Sequence, residues 1–307
     1  MNRSLRREVA ALAADHASSA TALLTRALDL LRRARDVGRA EAEEVACAVC
    51  RAQPCMGSLW NAAASAIAAE AAALDRFAVQ AARAPEAVAR IAESLIRAGE
   101  EGRAAEPTLV TWSASRPVRS LVERLAQRGP VTVRCGEARP ALEGRALAGA
   151  LAAAGATVEV FADGALGTAL AGAQAVVVGA DAVAAEWFVN KAGTGALALA
   201  AASVGVPTYV LAGRDKCLAA ALAGRLVLAE GPPEEVWAPV PAGVRVRNPY
   251  FERVPWTAVA ALVTDRGVLG EADVPALCEA AARVIDQQAL ATLLAAPISP
   301  TSLPSGD

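Results

Sequence analysis

From Thr108 onward the chain alternates short β-branched runs with longer Ala/Leu-rich stretches, and this rhythm restricts the fold more than any other feature. The strand candidates are Thr108–Trp112, Val131–Arg134, Thr157–Phe161, Ala175–Val178 and Thr208–Leu211. Helical stretches fall between them, near Arg116–Arg128, Gly144–Ala154 and Gly193–Val204. Strand and helix in alternation build βαβ units, and these assemble a parallel sheet covered on both faces. Gly129-Pro130 and Gly205-Val206-Pro207 open strands, as short helix-to-strand connections should. The fold class is therefore α/β.

Ahead of this region, residues from about Ser4 to Gly102 read as mostly helix. Leu5, Val9, Leu12 and Ala13 recur at helical spacing, as do Leu23, Leu24, Leu28, Leu30 and Leu31. Arg32, Arg33 and Arg35, with Asp29 and Asp36, form a solvated face. Ala52–Ser58 breaks the pattern before another Ala-rich helix, and Glu100-Glu101-Gly102 ends the region. The expected division is a helical N-terminal domain over 1–103, an α/β domain over 104–296 and a disordered Pro/Ser-rich tail over 297–307.

Hydrophobic residues make up 55% of the chain, enough for a core, although aromatics are only 4%. Much of the remainder is alanine, which favours helix and buries little area per residue. The positive mean hydropathy does not indicate a membrane protein. Apolar runs such as Ala196–Ala202 fall far short of the roughly 20 residues that span a bilayer. Lys and Arg total 30 against 32 Asp and Glu, a balance that gives no support to a nucleic-acid partner. The charged, amphipathic N-terminus lacks the apolar core of a secretory signal, and the expected setting is cytoplasmic.

Cys47, Cys50 and Cys55 superficially suggest a metal site, but no second pair or local histidine completes a tetrahedral set. Small buried residues in a reducing compartment explain them better, and no metal is expected. His16 is the single histidine, which removes Ser-His-Asp chemistry and multi-histidine metal centres.

In a parallel sheet, ligands bind beyond the carboxyl ends of the strands, where loops lead into helix N-termini. Five such loops are polar: Ser113–Arg116, Cys135–Arg139, Ala162–Gly164, Gly179–Asp181 and Ala212–Lys216. Their convergence predicts a pocket for an anionic small molecule. Ser113, Ser115 and the free N–H groups of the next helix can hold a phosphate, or the serines can serve as ordinary N-caps. Arg116, Arg139 and Lys216 supply positive charge, and Arg139-Pro140 can equally be a structural turn. Asp181 ends the apolar strand Val176–Val178, so desolvation should lift its carboxyl pKa toward the range of a general base while nearby cations oppose the shift. Capping a turn is the competing role. Asn190 and Lys191 follow in reach of the same carboxylate.

Laid out in order, these segments resemble the superfamily that unites the regulatory α, β and δ subunits of eukaryotic translation initiation factor 2B with two isomerases. The isomerases act on methylthioribose 1-phosphate and ribose 1,5-bisphosphate. The matching stretches are Gly57–Ile67, Thr111–Val118, Cys135–Leu151, Phe161–Leu170, Val176–Val183, Val189–Ala201, Gly205–Lys216 and Val244–Val259. The Gly179-Ala180-Asp181 and Asn190-Lys191 pair and the late Asn248–Glu252 segment are specific; the Ala-rich helices are not. The resemblance implies a helical N-terminal domain, a Rossmann-like C-terminal domain, a homodimer and a phosphorylated ligand, with no cofactor.

In the isomerases a Cys in the first sheet loop and an Asp in the Gly-Ala-Asp segment move protons. The Asp carries over onto Asp181, whereas the Cys position is held by Ser113, a far poorer acid or base. Asp163, Asn190, Lys191 and Lys216 match family pocket positions. Gln53-Pro54 stands where the family usually has Arg-Pro, with Arg51 nearby. Glu186-Trp187-Phe188 replaces an Asn-Gly turn and should reshape the pocket floor. Two readings follow: an enzyme of the sugar-phosphate isomerase kind, with Asp181 and Ser113 at its catalytic centre, or a non-catalytic regulatory protein like the initiation-factor subunits.

Overall fold

The computed structural model describes residues 1–16, 18–98, 106–228 and 230–297. It is a mixed α/β protein: a helical N-terminal region followed by a sheet that is mainly parallel. The helices that open the chain are α1 (Arg3–Ala13), α2 (Ala20–Val37), α3 (Arg39–Ala52), α4 (Gly57–Ala66) and α5 (Ala73–Ala98). Leu5, Val9 and Leu12 are buried on one face of α1, and Leu23, Leu24, Leu28, Leu30 and Leu31 on α2, as their spacing predicts. The Ser19 hydroxyl accepts from the Ala22 N–H and starts α2. The expected end of this region at residues 100–102, the division at 103/104 and the tail beyond residue 297 lie outside the described residues.

The sheet strands are β1 (Thr108–Trp112), β2 (Thr132–Gly136), β3 (Thr157–Phe161), β4 (Ala175–Val178), β7 (Thr208–Leu211), β9 (Ala261–Val263) and β10 (Val268–Leu269). Helices α6 (Arg116–Ala126), α7 (Glu143–Ala153) and α8 (Thr194–Ser203) run between them. The order is β10-β9-β7-β4-β1-β2-β3, parallel throughout except for β10. Chain order therefore reverses between β1 and β4, and such a reversal leaves a crevice at the strand ends. The register pairs Trp112 with Val178 and Val178 with Val210, so the chain leaves β1, β4 and β7 at one level.

A second, antiparallel sheet lies off this edge. It joins β5 (Ala182–Val183), β6 (Trp187–Lys191) and β8 (Phe251–Pro255). The hairpin β5–β6 brings Asn190 and Lys191 back beside Asp181, whose N–H donates to Val189 O at 2.7 Å. The sequence reading placed Glu186-Trp187-Phe188 in a turn. Only Glu186 belongs there; Trp187 and Phe188 are in β6, and Phe188 is buried 4.9 Å from the Trp256 ring.

Packing crosses between the helical region and the sheet in both directions. The latter half of α5 buries Val88, Ala89, Ala92 and Ile96 with Leu109, Val177 and Leu211 of the sheet. Helices α9 (Ala220–Ala223), α10 (Val274–Val284) and α11 (Gln287–Ala295) complete the chain, and Ala289 and Leu293 of α11 join the core of α1–α4. The tightest joint is at Gly57, whose N–H donates to the Asp181 carbonyl at 2.8 Å. A Cβ there would lie 2.6 Å from Lys216 O and 3.2 Å from Ala182 Cα. Backbone on both sides leaves no room to yield. Gly57→Ala is expected to destabilise the protein by about 1–3 kcal/mol through overpacking. A lower urea midpoint at unchanged slope would register it, and an unchanged midpoint would refute it.

Candidate functional site

Three of the five polar loops meet at the crevice. The loops after β1, β4 and β7 enclose a cavity of about 440 Å³, with Ser113, Ser115, Arg116, Asp181, Asn190 and Lys216 in its lining. Its opposite wall comes from the helical region: residues at the start of α2, with Ser58 of α4 and Ala84 and Pro85 of α5. That wall was not foreseen, because apolar periodicity shows that a helix is amphipathic but not which loop edge it covers.

Asp181 is half-buried in this lining. Desolvation raises its carboxyl pKa, the charges of Lys216 and Lys191 pull it down, and Glu143 pushes it up. The Lys216 ammonium donates to the Ala180 carbonyl, which fixes it beside the Asp181 peptide. Lys191 is almost wholly buried; it pairs with Glu143 Oε1 at 2.8 Å and lies 5.0 Å from the centre of the Tyr250 ring. Asn190 Nδ2 donates to Thr194 Oγ1 at 2.9 Å, so its amide holds the start of α8.

Ser113 follows β1 with φ +67°, a left-handed turn that is uncommon for a residue with a side chain. Its hydroxyl donates to Glu143 Oε1 at 3.1 Å. Glu143 opens α7, and its second oxygen, Oε2, is buried without a hydrogen-bond partner. Ser113, Glu143 and Lys191 thus form one chain of contacts behind Asp181. Ser115 stands at the N-cap position of α6 but makes no cap hydrogen bond, and its Oγ is buried and unpartnered. Of the two roles open to it, capping is not the one this hydroxyl performs. Its hydrogen-bonding capacity is unused among the described residues.

Four expected pocket residues lie elsewhere: Lys191 is buried behind the lining against Glu143 and Tyr250, and Arg51, Arg139 and Asp163 are on other elements. The strand order puts β2 and β3 beyond β1, so their loops open onto another cavity, of about 560 Å³, lined by Trp112, Arg139, Asp163 and Asn248. There Asp163 accepts from the backbone N–H groups of Ala138 at 2.9 Å and Arg139 at 2.7 Å, which commits both of its oxygens to the loop. Arg51 ends α3 beside Cys47 and Cys50 and is not in the lining of the Asp181 cavity. The expectation that five loops would share a single pocket is corrected: three do.

Two acidic residues were missed. Glu143 sits within a matching segment but carries no signal apart from its position in the first turn of α7. Asp215 lies between two basic residues and reads as a solvated charge. In the structure it is only 6% exposed, it lines the cavity, and no ion pair reaches it among the described residues. Burial lifts its carboxyl pKa to about 6 against the opposing charge of Lys216. Arg214 beside it is engaged by Asp265 at 3.0 Å.

Comparison with known proteins matches the profile of the "Initiation factor 2 subunit family" to residues 3–271. The chain is 31% identical over 197 residues to the "Putative translation initiation factor eIF-2B subunit 2-like" of Pyrococcus furiosus, covering 64% of this chain and 67% of that one. It is 38% identical over 141 residues to the "Methylthioribose-1-phosphate isomerase" of Gemmatimonas aurantiaca, covering 45% of this chain but only 41% of the isomerase. In structure it is similar to the translation initiation factor eIF-2B of Pyrococcus horikoshii OT3, with a TM-score of 0.73 at 24% identity over 88% of this chain and 98% of that one. At that identity the likeness speaks for the fold. Among the described residues, no helix is long and apolar enough to cross a membrane.

Asp215 sets a pH dependence of stability. Its folded pKa, about 6, lies above the ordinary 3.8, so the folded state holds this proton more tightly than the unfolded state. Its contribution is therefore full below pH 3.8 and fades as pH rises through about 6. Asp215→Asn removes the cost of the buried charge, and at pH 8 it is expected to stabilise by about 2–3 kcal/mol. That gain should shrink toward zero near pH 4. A gain independent of pH in urea unfolding would refute the assignment.

Proposed function

Because the chain belongs to the initiation factor 2 subunit family, we propose that its Asp181 cavity binds a phosphorylated sugar and that Asp181 is the acid/base group of an aldose–ketose isomerisation. A nucleotide is the other phosphorylated ligand class that such a cavity admits. The observation that carries the reading is the placement of a half-buried carboxylate between two lysine charges, in the same cavity as an unpartnered hydroxyl at a helix N-terminus. The start of α6, with Ser115 and Arg116, offers the phosphate free N–H groups, a hydroxyl and a guanidinium. Asp181, whose carboxyl pKa burial raises, takes the proton from C2 of the sugar 1-phosphate and returns it to C1, while the bond from C1 to the ring oxygen breaks and the C2 hydroxyl proton passes to the released ring oxygen. Lys216 stabilises the oxyanion that forms in between, and Lys191, outside the lining, acts only through its charge on Asp181. Such a reaction transfers protons alone and calls for no redox cofactor.

A second reading is supported by Ser113. With a hydroxyl in place of a thiol, and with that hydroxyl donated to Glu143, the usual partner of Asp181 is weakened. A regulatory protein that binds the same ligand without turning it over fits this equally, and one relative is named as a putative translation initiation factor subunit. Homodimerisation in a cytosolic setting belongs to both readings.

Thermal melting with ribose 1,5-bisphosphate, methylthioribose 1-phosphate and nucleoside monophosphates tests the pocket. At about 100 times Kd, a true ligand stabilises by roughly 2.7 kcal/mol. Silence across the panel would remove the phosphate site from both readings. If the protein is an isomerase, Asp181→Asn should lower turnover by at least about 10²-fold with ligand stabilisation kept. Stabilisation of the wild type without turnover on any of these substrates selects the regulatory reading. Light scattering should give twice the 31.2 kDa chain mass, and a monomer at micromolar concentration would count against the dimer.

A further inference from the structure

Asp215 is the one acidic group in the lining of the cavity that the proposed reaction does not use. It sits on the loop after β7, while the phosphate end proposed above follows β1. In the strand order β7-β4-β1 these loops are two spacings apart, about 10 Å at the ordinary interstrand distance. The carboxylate is packed into the cavity wall. A Cβ placed on Gly213 would lie 2.3 Å from Asp215 Oδ1 and 2.5 Å from Ala84 Cβ, and both Gly213 and Ala84 line the cavity. A sugar anchored by its phosphate at α6 therefore turns its far end toward Asp215.

The charges of this lining do not balance two phosphates. Its acids are Asp181 and Asp215. Arg119 is committed to Glu123 at 2.6 Å. Lys216 is held against the Ala180 carbonyl and acts on both carboxylates. Arg116 alone has no acidic partner among the described residues of the lining, and it stands at the α6 end. One phosphate can be met there; a second, carrying close to two negative charges, would face a buried carboxylate.

We infer that Asp215 restricts this cavity to ligands with a single phosphate, whose far end is a hydroxyl or another hydrogen-bond donor, and excludes sugar bisphosphates. A carboxylate accepts hydrogen bonds from such a terminus and repels an anion in the same place. The inference rests on the phosphosugar reading of the site.

Titration calorimetry of the full chain at pH 8 with D-ribose 1-phosphate and D-ribose 1,5-bisphosphate tests it. The wild type is expected to bind the monophosphate at least about tenfold more tightly. In Asp215→Asn and Asp215→Ser, each checked for native circular dichroism, that ratio should fall below about threefold, chiefly through tighter bisphosphate binding. A wild type that binds the bisphosphate as well or better overturns the inference by itself, whatever the variants do. A ratio unchanged in folded variants overturns it too, and in both cases the phosphosugar site stands. Binding of neither sugar would remove that site, and the selectivity with it.

Discussion

The peptide of Asp181 is held from two directions, and the rest of the architecture is arranged around that clamp. Its N–H donates to Val189 O in the small sheet, and its carbonyl accepts from Gly57 N–H at the first residue of α4. One bond folds the β5–β6 hairpin back; the other latches the helical region onto the parallel sheet. Neither group can be released into the interior without leaving a buried amide or carbonyl unpaired, which costs more than such a bond is worth when made. The residue whose carboxylate faces the cavity is therefore also the one whose backbone fixes the cavity's two halves.

How far the sequence discloses this depends on what each feature encodes. Strands β1, β4 and β7 coincide with the β-branched runs because buried parallel strands demand continuous apolar residues, and β4 is buried along its whole length; β3 coincides too, as an edge strand with no buried residue. The small sheet left no such trace. β8 is Phe-Glu-Arg-Val-Pro, with one buried residue, and β5 is two residues long. Their pairing depends on contacts distant in sequence, which no local pattern reports. The site shows the same division. Asp181, Ser115 and Lys216 were legible as loop residues at strand ends, but strand order is not written in any one loop. Without it, the loops carrying Arg139 and Asp163 could not be separated from those carrying Asp181 and Ser113.

Electrostatics explains why the missed acids matter as much as the lysines that were noticed. A buried lysine can stay charged only if something pays back its lost hydration, and Glu143 does this for Lys191 at 2.8 Å. The pairing leaves less of that charge for Asp181, and Glu143 adds its own repulsion. Lys216 is likewise divided between Asp181 and Asp215. Counting lysines by position overstates how positive the cavity is. Lys216 is the charge that Asp181 and Asp215 share.

Ser113 shows how an existing contact limits the chemistry of a side chain. The left-handed turn aims the side chain at Glu143, and the hydroxyl spends its single proton on that carboxylate. A hydroxyl whose proton is committed still has lone pairs, so toward a ligand it acts as an acceptor of hydrogen bonds. In the phosphosugar reading proposed above, it orients a sugar hydroxyl in the cavity that it lines with Asp181. To transfer a proton itself it would have to give that proton up to Glu143, against a hydroxyl pKa far above that of a thiol. Glu143 Oε2, buried without a partner, leaves a hydrogen-bond acceptor unused beside that hydroxyl. The contact with Glu143, and not the serine alone, thus limits what this hydroxyl can do.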